Sequence, residues 1–220
     1  MKGRKPRREH VKRRTMEIYP GTFLLKRFLL IGEQKSTLAR CQEVGSRPAG
    51  FYTPVVRGGA SMRIQMVCLG RHWNARTYKY EPTRSDYDGL PVQEIPYEFI
   101  QLARRAAADA LMSIEPDVCI LNLYSETGRL GLHQDKDERP ETIKSGVPVV
   151  SISLGDSAKF LIGGVTRKDP VRAIIVESGD AVVMGGPSRL RFHGVSAILS
   201  GSGPDELGIR GRYNLNFRQY

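Results

Sequence analysis

The sequence predicts a mostly β protein with flanking helices, whose core is a jelly roll of two packed sheets. After Pro116 the chain consists largely of short strand-like runs, most of them separated by turns that contain Gly or Pro. Strands of this length and spacing favour a sandwich or barrel over alternating β-α units. Ahead of them lies one clear amphipathic helix, residues 96–114, which we expect to pack outside the sheets.

The first 14 residues are predicted to be a basic, disordered tail. They contain eight Lys or Arg residues and one acid, Glu9, and therefore carry +7 of the total formal charge of +11. Runs of like charge are most often solvated and disordered. Clustered Lys and Arg can also tether nucleic acid, because they displace counterions from phosphates. The sequence leaves this second role open.

Residues 15–115 are predicted to form an N-terminal extension with helices and a loop-and-hairpin region at about 46–92. This region is rich in Gly, Pro, Tyr and Arg, and we expect it to lie over another part of the molecule. The predicted elements are a strand-like stretch at Thr22–Ile31, a helix at Gln34–Val44, short strands at Met62–Leu69 and Thr77–Tyr80, and a helix at Pro96–Ile114. Helical spacing places one apolar side on that last helix, with Phe99, Leu102, Ala106, Ala110 and Leu111.

Residues 116–220 are predicted to form the β core. They alternate between apolar runs and turn residues, and they show no internal repeat. The predicted strands are Val118–Tyr124, Val147–Leu154, Lys159–Ile162, Val171–Val176, Ala181–Met184, Leu190–Val195 and Arg212–Tyr220.

Composition bounds the class of protein and its compartment. No apolar run approaches the roughly 20 residues that a membrane helix needs. The three cysteines, Cys41, Cys68 and Cys119, are odd in number and far apart, which favours reduced thiols over a disulfide framework or a zinc site. We expect a cytoplasmic protein that acts as a monomer and does not bind membranes.

The segment Leu130–Glu138 contains a candidate pair of metal ligands. His133 and Asp135 are two residues apart, and on a strand such residues point to the same face. A His and an Asp at this spacing are common by chance, but a second histidine, His193, follows in Arg-Phe-His-Gly-Val. Two imidazoles and one carboxylate on one face of a metal is the arrangement found in non-haem Fe(II) oxygenases. The sequence therefore predicts an iron site.

The last predicted strand alternates strictly between polar and apolar residues. Arg212, Asn214, Asn216 and Arg218 occupy one face, and Tyr213, Leu215 and Phe217 occupy the other. This alternation fits an edge strand with a solvated outer face. It also fits a buried site for a dicarboxylate, since Arg binds carboxylates in a bidentate manner. Asn122 and Tyr124 likewise share one face of their strand and could add neutral donors.

Four segments carry a close resemblance to the AlkB family of Fe(II)- and 2-oxoglutarate-dependent dioxygenases. They are N-L-Y-S-E-T-G-R-L-G-L-H-Q-D-K-D-E, V-S-I-S-L-G, G-D-A-V-V-M-G-G-P-S-R-L-R-F-H-G-V and R-Y-N-L-N-F-R-Q. The resemblance covers roughly residues 17–220, is strongest from Asn122 onward, and includes the order and spacing of the motifs. It does not cover the basic tail.

The resemblance implies a double-stranded β-helix core with an N-terminal nucleotide-recognition lid. It implies that Fe(II) is bound by His133, Asp135 and His193, with O2 and 2-oxoglutarate as co-substrates. By motif position, the residues that bind the 2-oxoglutarate carboxylates would be Arg212, Asn214 and Arg218, helped by Asn122 and Tyr124. No side-chain nucleophile is required.

The resemblance also implies a set of residues that contact the substrate base. Trp73 and Tyr78 match base-contacting positions of the lid, although the short segment between them leaves Tyr80 as an alternative to Tyr78. Asp137 and Arg167 match substrate-contacting positions as well. Without the family, we would expect Trp73 to pack over the helices and Arg167 to be a solvated turn residue.

The implied activity is oxidative demethylation of N-alkylated bases in DNA, namely 1-methyladenine and 3-methylcytosine, as direct-reversal DNA repair. Succinate, CO2 and formaldehyde would be released. A base methylated on a ring nitrogen is cationic, and an aromatic face attracts a cation by about 0.5–2 kcal/mol. The alternatives within the family are an RNA or tRNA demethylase and a member acting on protein. A nucleic-acid-binding protein with a dead metal site is the third hypothesis. The implied partner is DNA, single-stranded or locally opened, with RNA as the alternative.

Overall fold

The computed structural model describes residues 14–220, which form thirteen strands and three α-helices. The helices are α1 Ile31–Ser46, α2 Tyr97–Asp109 and α3 Pro140–Lys144. The strands are β1 Arg14–Tyr19, β2 Thr22–Lys26, β3 Gln65–Leu69, β4 His72–Asn74, β5 Lys79–Glu81, β6 Val118–Tyr124, β7 Leu130–His133, β8 Val149–Gly155, β9 Ser157–Ile162, β10 Arg172–Val176, β11 Ala181–Met184, β12 His193–Leu199 and β13 Arg212–Arg218. None of these helices is long and apolar enough to cross a membrane. The predicted basic tail lies outside the described residues, apart from Arg14, which begins β1.

Two sheets form the core, and the predicted jelly roll is confirmed. The large sheet has the strand order β1-β2-β11-β8-β13-β6-β3, and the small sheet has the order β10-β9-β12-β7. Each strand pair within the two sheets is antiparallel. Because β1, β2 and β3 belong to the large sheet, the predicted boundary at residues 115/116 does not separate two sheets.

The helices α1 and α2 cover the outer face of the large sheet. The apolar alternate residues of β13, Leu215 and Phe217, are wholly buried in one cluster with Leu38 of α1 and Phe99 of α2. Full burial of such a side chain contributes about 1.5–3 kcal/mol, so this layer is a main source of stability. The polar residues of β13 therefore point the other way, into the space between the two sheets.

Several predicted element ends are wrong. The strand-like stretch predicted at Thr22–Ile31 ends at Lys26, and Ile31 instead begins α1. The helix predicted to reach Ile114 ends at Asp109, and Leu111 is 92% exposed with a positive φ of 58°. Leu111 therefore does not share the buried side of α2 that its spacing suggested. The strand predicted at Leu190–Val195 begins only at His193 and runs on to Leu199.

A small hairpin, β4–β5, lies within the predicted loop region at 46–92. Its register pairs Trp73 with Tyr80. The sequence analysis did not predict β4, and it placed Tyr78 on a strand. Tyr78 instead lies in the turn with a positive φ of 58°, a conformation that is uncommon for a bulky residue.

A buried carboxylate anchors the turn that leads into β13. Asp156 is 1% exposed, and its two oxygens accept hydrogen bonds from the backbone amides of Gly203 (3.0 Å) and Gly211 (2.8 Å). Gly211 has a φ of +83°, and a Cβ there would lie 2.4 Å from the carbonyl oxygen of Tyr124. This turn therefore requires glycine, and Asp156 sets where β13 begins.

Asp156→Ala should lower the free energy of unfolding by about 2–4 kcal/mol, because it leaves two buried amide groups without acceptors. Urea denaturation followed by circular dichroism measures this change. Asp205→Ala removes an exposed carboxylate and serves as the control, with an expected effect within about 0.5 kcal/mol. Equal midpoints for the two variants would contradict the anchoring role of Asp156.

Candidate metal centre and its cavity

Three predicted ligands meet at one edge of the small sheet. His133 ends β7 and pairs in register with His193, the first residue of β12. Nε2 of His133 lies 3.7 Å from Oδ1 of Asp135, and Nε2 of His193 lies 3.5 Å from Oδ2 of the same carboxylate. All candidate ligand atoms lie within 4.8 Å of one another, so one cation can contact all three groups.

Asp135 does not lie on a strand, contrary to the parity argument made from the sequence. β7 ends at His133, and Asp135 and Asp137 follow in irregular backbone. The shared strand face assumed for His133 and Asp135 is therefore wrong, although their side chains still meet. Asp135 is buried beside the two histidines, whereas Asp137 bonds to the β4–β5 hairpin.

Backbone carbonyls orient both imidazoles. Nδ1 of His133 is 2.9 Å from the carbonyl oxygen of Gly131, and Nδ1 of His193 is 3.0 Å from that of Arg191. A carbonyl can only accept, so each Nδ1 carries the proton and each Nε2 keeps a free lone pair. This tautomer is the one that metal-binding histidines need.

The electrostatics of the cluster favour the ligating protonation states. Burial, followed by the neighbouring His193, lowers the pKa of His133 to about 4. Burial alone would raise the pKa of Asp135, but Arg218 and the two histidines hold it well below its ordinary value. A neutral imidazole next to an ionised carboxylate is what a divalent cation requires.

Two pairs of predicted site residues come from the inner face of the large sheet. The register pairs Arg212 with Tyr124 and Asn214 with Asn122 across β13 and β6. Nη2 of Arg212 donates to Oγ of Ser153 at 2.8 Å, but its Nε and Nη1 have no partner in the described part of the chain. Burial lowers the pKa of Arg212.

Arg218 is neutralised by the protein itself. Its Nη2 donates to Oδ1 of Asp135 at 2.6 Å, and its Nε lies 3.4 Å from Oε1 of Glu138. Burial would lower the pKa of Arg218, yet Asp135, Tyr80 and Glu138 raise it well above its ordinary value. The two arginines predicted to act alike thus have different surroundings.

A cavity of about 690 Å³ opens over the candidate metal centre. His133, Asp135, Asn122 and Arg218 line its inner end. Most of the remaining wall is apolar, and it consists of Met62, Ile64, Met66, Ile120, Leu130, Leu132 and Phe192. A largely apolar pocket with a few convergent polar groups is typical of a ligand site.

The β4–β5 hairpin supplies the aromatic side of this cavity. Nε1 of Trp73 donates to Oδ2 of Asp137 at 2.8 Å, and the rings of Trp73 and Tyr78 are 5.9 Å apart. Tyr78 is 45% exposed, whereas the hydroxyl of Tyr80 donates to Oε1 of Glu138 at 2.9 Å. Both tyrosines line the cavity, so Tyr78 is the one of the two with its ring open to an incoming group.

Arg167 lines the same cavity. Its Nη1 donates to the carbonyl oxygen of Leu132 at 3.2 Å, and its guanidinium lies 5.6 Å from the ring centre of Phe192. Arg167 is therefore exposed but bonded to the cavity wall.

Two buried residues of the site, Glu138 and Arg189, were not predicted from the sequence. Glu138 closes the segment that carries Asp135, and Nη2 of Arg189 donates to its Oε2 at 2.8 Å. Both side chains are at most 5% exposed. Their positions next to the two ligand motifs were visible in the sequence, but nothing in the pattern indicated that they pair.

Comparisons with known proteins agree with this geometry. A family model described as the 2OG-Fe(II) oxygenase superfamily matches residues 21–218. The alpha-ketoglutarate-dependent dioxygenase AlkB of Escherichia coli (strain K12) is 37% identical over 203 residues, which cover 90% of this chain and 90% of that protein. The chain belongs to the AlkB family. The predicted family is thereby confirmed, as are its cofactor Fe(II) and its co-substrates 2-oxoglutarate and O2.

Plant members of the AlkB family are also similar. The Arabidopsis thaliana protein described as DNA N(6)-methyladenine demethylase ALKBH1C is 42% identical over 224 residues, which cover 92% of this chain and 49% of that protein. The chain thus spans about half the length of the plant relatives that it matches. A solved structure described as that of OsALKBH1 has a TM-score of 0.88 and 39% identity, and the match covers 94% of this chain and 100% of that one.

The residues present fit the cofactor and co-substrate of the AlkB family. A wholly buried guanidinium with two unpaired nitrogens is costly unless an anion meets it, and among the described residues no carboxylate pairs with Arg212. The distal carboxylate of 2-oxoglutarate has the charge and planar shape for that position. The neutral imidazole of His133 and the ionised Asp135 likewise suit Fe(II).

Arg212→Met should weaken 2-oxoglutarate binding about 10- to 100-fold, because it removes charge-assisted hydrogen bonds worth about 1.5–3 kcal/mol. The melting temperature without 2-oxoglutarate should not fall, since a buried unpaired charge is removed. Calorimetric titration of the Mn(II)-loaded protein gives the Kd. Arg210→Met is the control, because that side chain is 88% exposed. Unchanged 2-oxoglutarate affinity in Arg212→Met would contradict this role.

Proposed function

We propose that the chain is an Fe(II)- and 2-oxoglutarate-dependent dioxygenase that removes N-methyl groups from bases in DNA. The observation that carries the proposal is the cavity beside the candidate metal centre. It is lined by His133 and Asp135, which meet His193 at that centre, and by the aromatic residues of the β4–β5 hairpin. A small-molecule oxidase would not need a base-sized aromatic mouth beside exposed basic side chains.

In this proposal His133, Asp135 and His193 hold the iron. Arg212 and Asn214, with Asn122 and Tyr124 from the paired strand, bind the carboxylates of 2-oxoglutarate. Arg218 contributes to the same site while it stays paired with Asp135. When bound, Fe(II) and 2-oxoglutarate activate O2 so that the N-methyl carbon is oxidised and lost as formaldehyde, a conversion that needs no protein nucleophile.

The hairpin and the rim recognise the nucleotide. The ring of Tyr78 is open to solvent, and with Trp73 it offers a surface on which an extruded base stacks, worth about 1–3 kcal/mol per base. Lys136 and Arg167 are exposed at the cavity rim and can meet the phosphates. A methylated base that pairs poorly costs less to extrude, so single strands and damaged sites are favoured.

Two kinds of methylated base are candidates. 1-Methyladenine and 3-methylcytosine are cations, and the ionised carboxylate of Asp137 would attract them. N6-methyladenine is neutral, and two observations favour it: Asp137 already accepts a hydrogen bond from Trp73, and burial raises the pKa of this carboxyl group. The Arabidopsis thaliana relative named above is described as a demethylase of N6-methyladenine in DNA. We place the cationic bases first because Asp137 is the acidic group nearest to the aromatic mouth.

The deciding assay supplies Fe(II), 2-oxoglutarate and single-stranded oligonucleotides that each contain 1-methyladenine, 3-methylcytosine or N6-methyladenine, in DNA and in RNA. Loss of the methyl mark by mass spectrometry and release of formaldehyde are expected for the DNA substrates. His133→Ala should abolish both signals. Metal-loaded protein that leaves every DNA mark intact would refute the proposal, and faster turnover of RNA would move it to the RNA alternative.

Asp137→Asn should lower kcat/KM for the cationic bases more than for N6-methyladenine, because the substitution removes the negative charge but keeps a hydrogen-bond acceptor for Trp73. We expect a selective loss of about tenfold, equivalent to about 1.4 kcal/mol. Asp109→Asn, at an exposed position on α2, is the control. An equal loss for cationic and neutral bases would show that Asp137 does not select by charge.

A further inference from the structure

Three carboxylates lie within the five residues that follow β7, and each bonds to a different partner. Asp135 pairs with Arg218 (2.6 Å), Asp137 with Trp73 (2.8 Å), and Glu138 with Arg189 (2.8 Å). The first two pairs join this segment to the large sheet and to the hairpin. The proposed function uses these two pairs but not the third.

Arg189 holds this segment at two points. Its Nη1 donates to the backbone carbonyl oxygen of Asp135, and its Nη2 donates to Oε2 of Glu138. Asp135 lies outside any strand, so no ladder of sheet hydrogen bonds sets its position. The planar guanidinium therefore fixes the position of Asp135, as strand pairing fixes the positions of His133 and His193. A lysine has no planar pair of donors with which to hold the two acceptors in this arrangement.

The other oxygen of Glu138 faces Arg218 and the hairpin. Oε1 accepts the hydroxyl hydrogen of Tyr80 at 2.9 Å and lies 3.4 Å from Nε of Arg218. Nη1 of Arg218 in turn lies 3.4 Å from the Tyr80 hydroxyl. Glu138 thus steadies the guanidinium that contacts the metal-ligand carboxylate, and a residue of the hairpin takes part in the same set of bonds.

We infer that the Arg189–Glu138 ion pair is a positioning device that holds Asp135 and Arg218 in place, and that the Tyr80 hydroxyl makes the hairpin part of the same unit. The inference rests on the proposed function for the identity of the ligands. Its consequence is a linkage: movement of the hairpin changes the affinity for metal and 2-oxoglutarate, and their binding in turn stabilises the hairpin by the same free energy.

Glu138→Gln and Arg189→Lys test the ion pair. Calorimetry gives the Kd of Mn(II) and then of 2-oxoglutarate on the Mn(II)-loaded protein, and thermal denaturation gives stability. We expect both affinities to fall about 10-fold or more, as when partners of metal ligands are replaced. Glu33→Gln and Arg105→Lys are the controls, since that pair is more exposed (33% and 35%) and joins α1 to α2 at 2.6 Å, outside the cavity lining. If Glu138→Gln and Arg189→Lys lose stability yet bind Mn(II) and 2-oxoglutarate as tightly as the controls, the pair is only structural and the inference is overturned.

Tyr80→Phe tests the link to the hairpin and decides the matter if the ion-pair variants fail to fold. It removes one oxygen and keeps the ring, which packs edge-on against Tyr220 at 5.4 Å. We expect weaker Mn(II) and 2-oxoglutarate binding than in Tyr97→Phe, whose ring is 71% exposed on α2. Identical affinities would overturn the link. These titrations need neither nucleic acid nor turnover, so a failed demethylation assay would count against the proposed function alone.

Discussion

The buried ion pair between Arg218 and Asp135 is the contact on which the rest of the site depends. Arg218 belongs to β13 in the middle of the large sheet, and Asp135 follows β7 at the edge of the small sheet. Removing two charges from water costs several kcal/mol per ion, which is recovered only when the geometry is good and the remaining polar atoms are bonded. Glu138 and Tyr80 supply those further bonds. The pair therefore joins the two sheets at the point where a metal ligand must be held without support from a strand.

The second arginine of β13, Arg212, has no carboxylate partner among the described residues. Arg212 is buried as deeply as Arg218, but its described neighbours are the hydroxyl of Ser153 and the ring of Tyr124 rather than a carboxylate. The same strand thus offers one guanidinium that is neutralised within the protein and one without a carboxylate partner among the described residues. Under the proposed function, this asymmetry would favour one orientation of a bound dicarboxylate, with one carboxylate at Arg212.

Several parts of this arrangement could be predicted from the sequence, because they depend on local regularity. The alternation along β13 correctly separated the polar face from Leu215 and Phe217, since successive strand residues point to opposite sides. The same parity argument failed for Asp135, because β7 ends at His133. It failed in a similar way for Leu111, where α2 stops at Asp109 and the spacing no longer applies. Periodicity therefore predicted the interior of each element well and its ends poorly.

The sequence by itself determined the ligand types, their order along the chain and the family, since these reside in short motifs such as His133-Gln134-Asp135 and Arg212-Tyr213-Asn214. Only the tertiary structure decided that both faces of β13 are buried and which arginine is paired. It also revealed that Arg189 bonds to Glu138 and to the backbone of Asp135. These contacts join residues more than fifty positions apart that lie on different elements. The spacing of residues along the chain does not predict such contacts, because they depend on how the sheets pack.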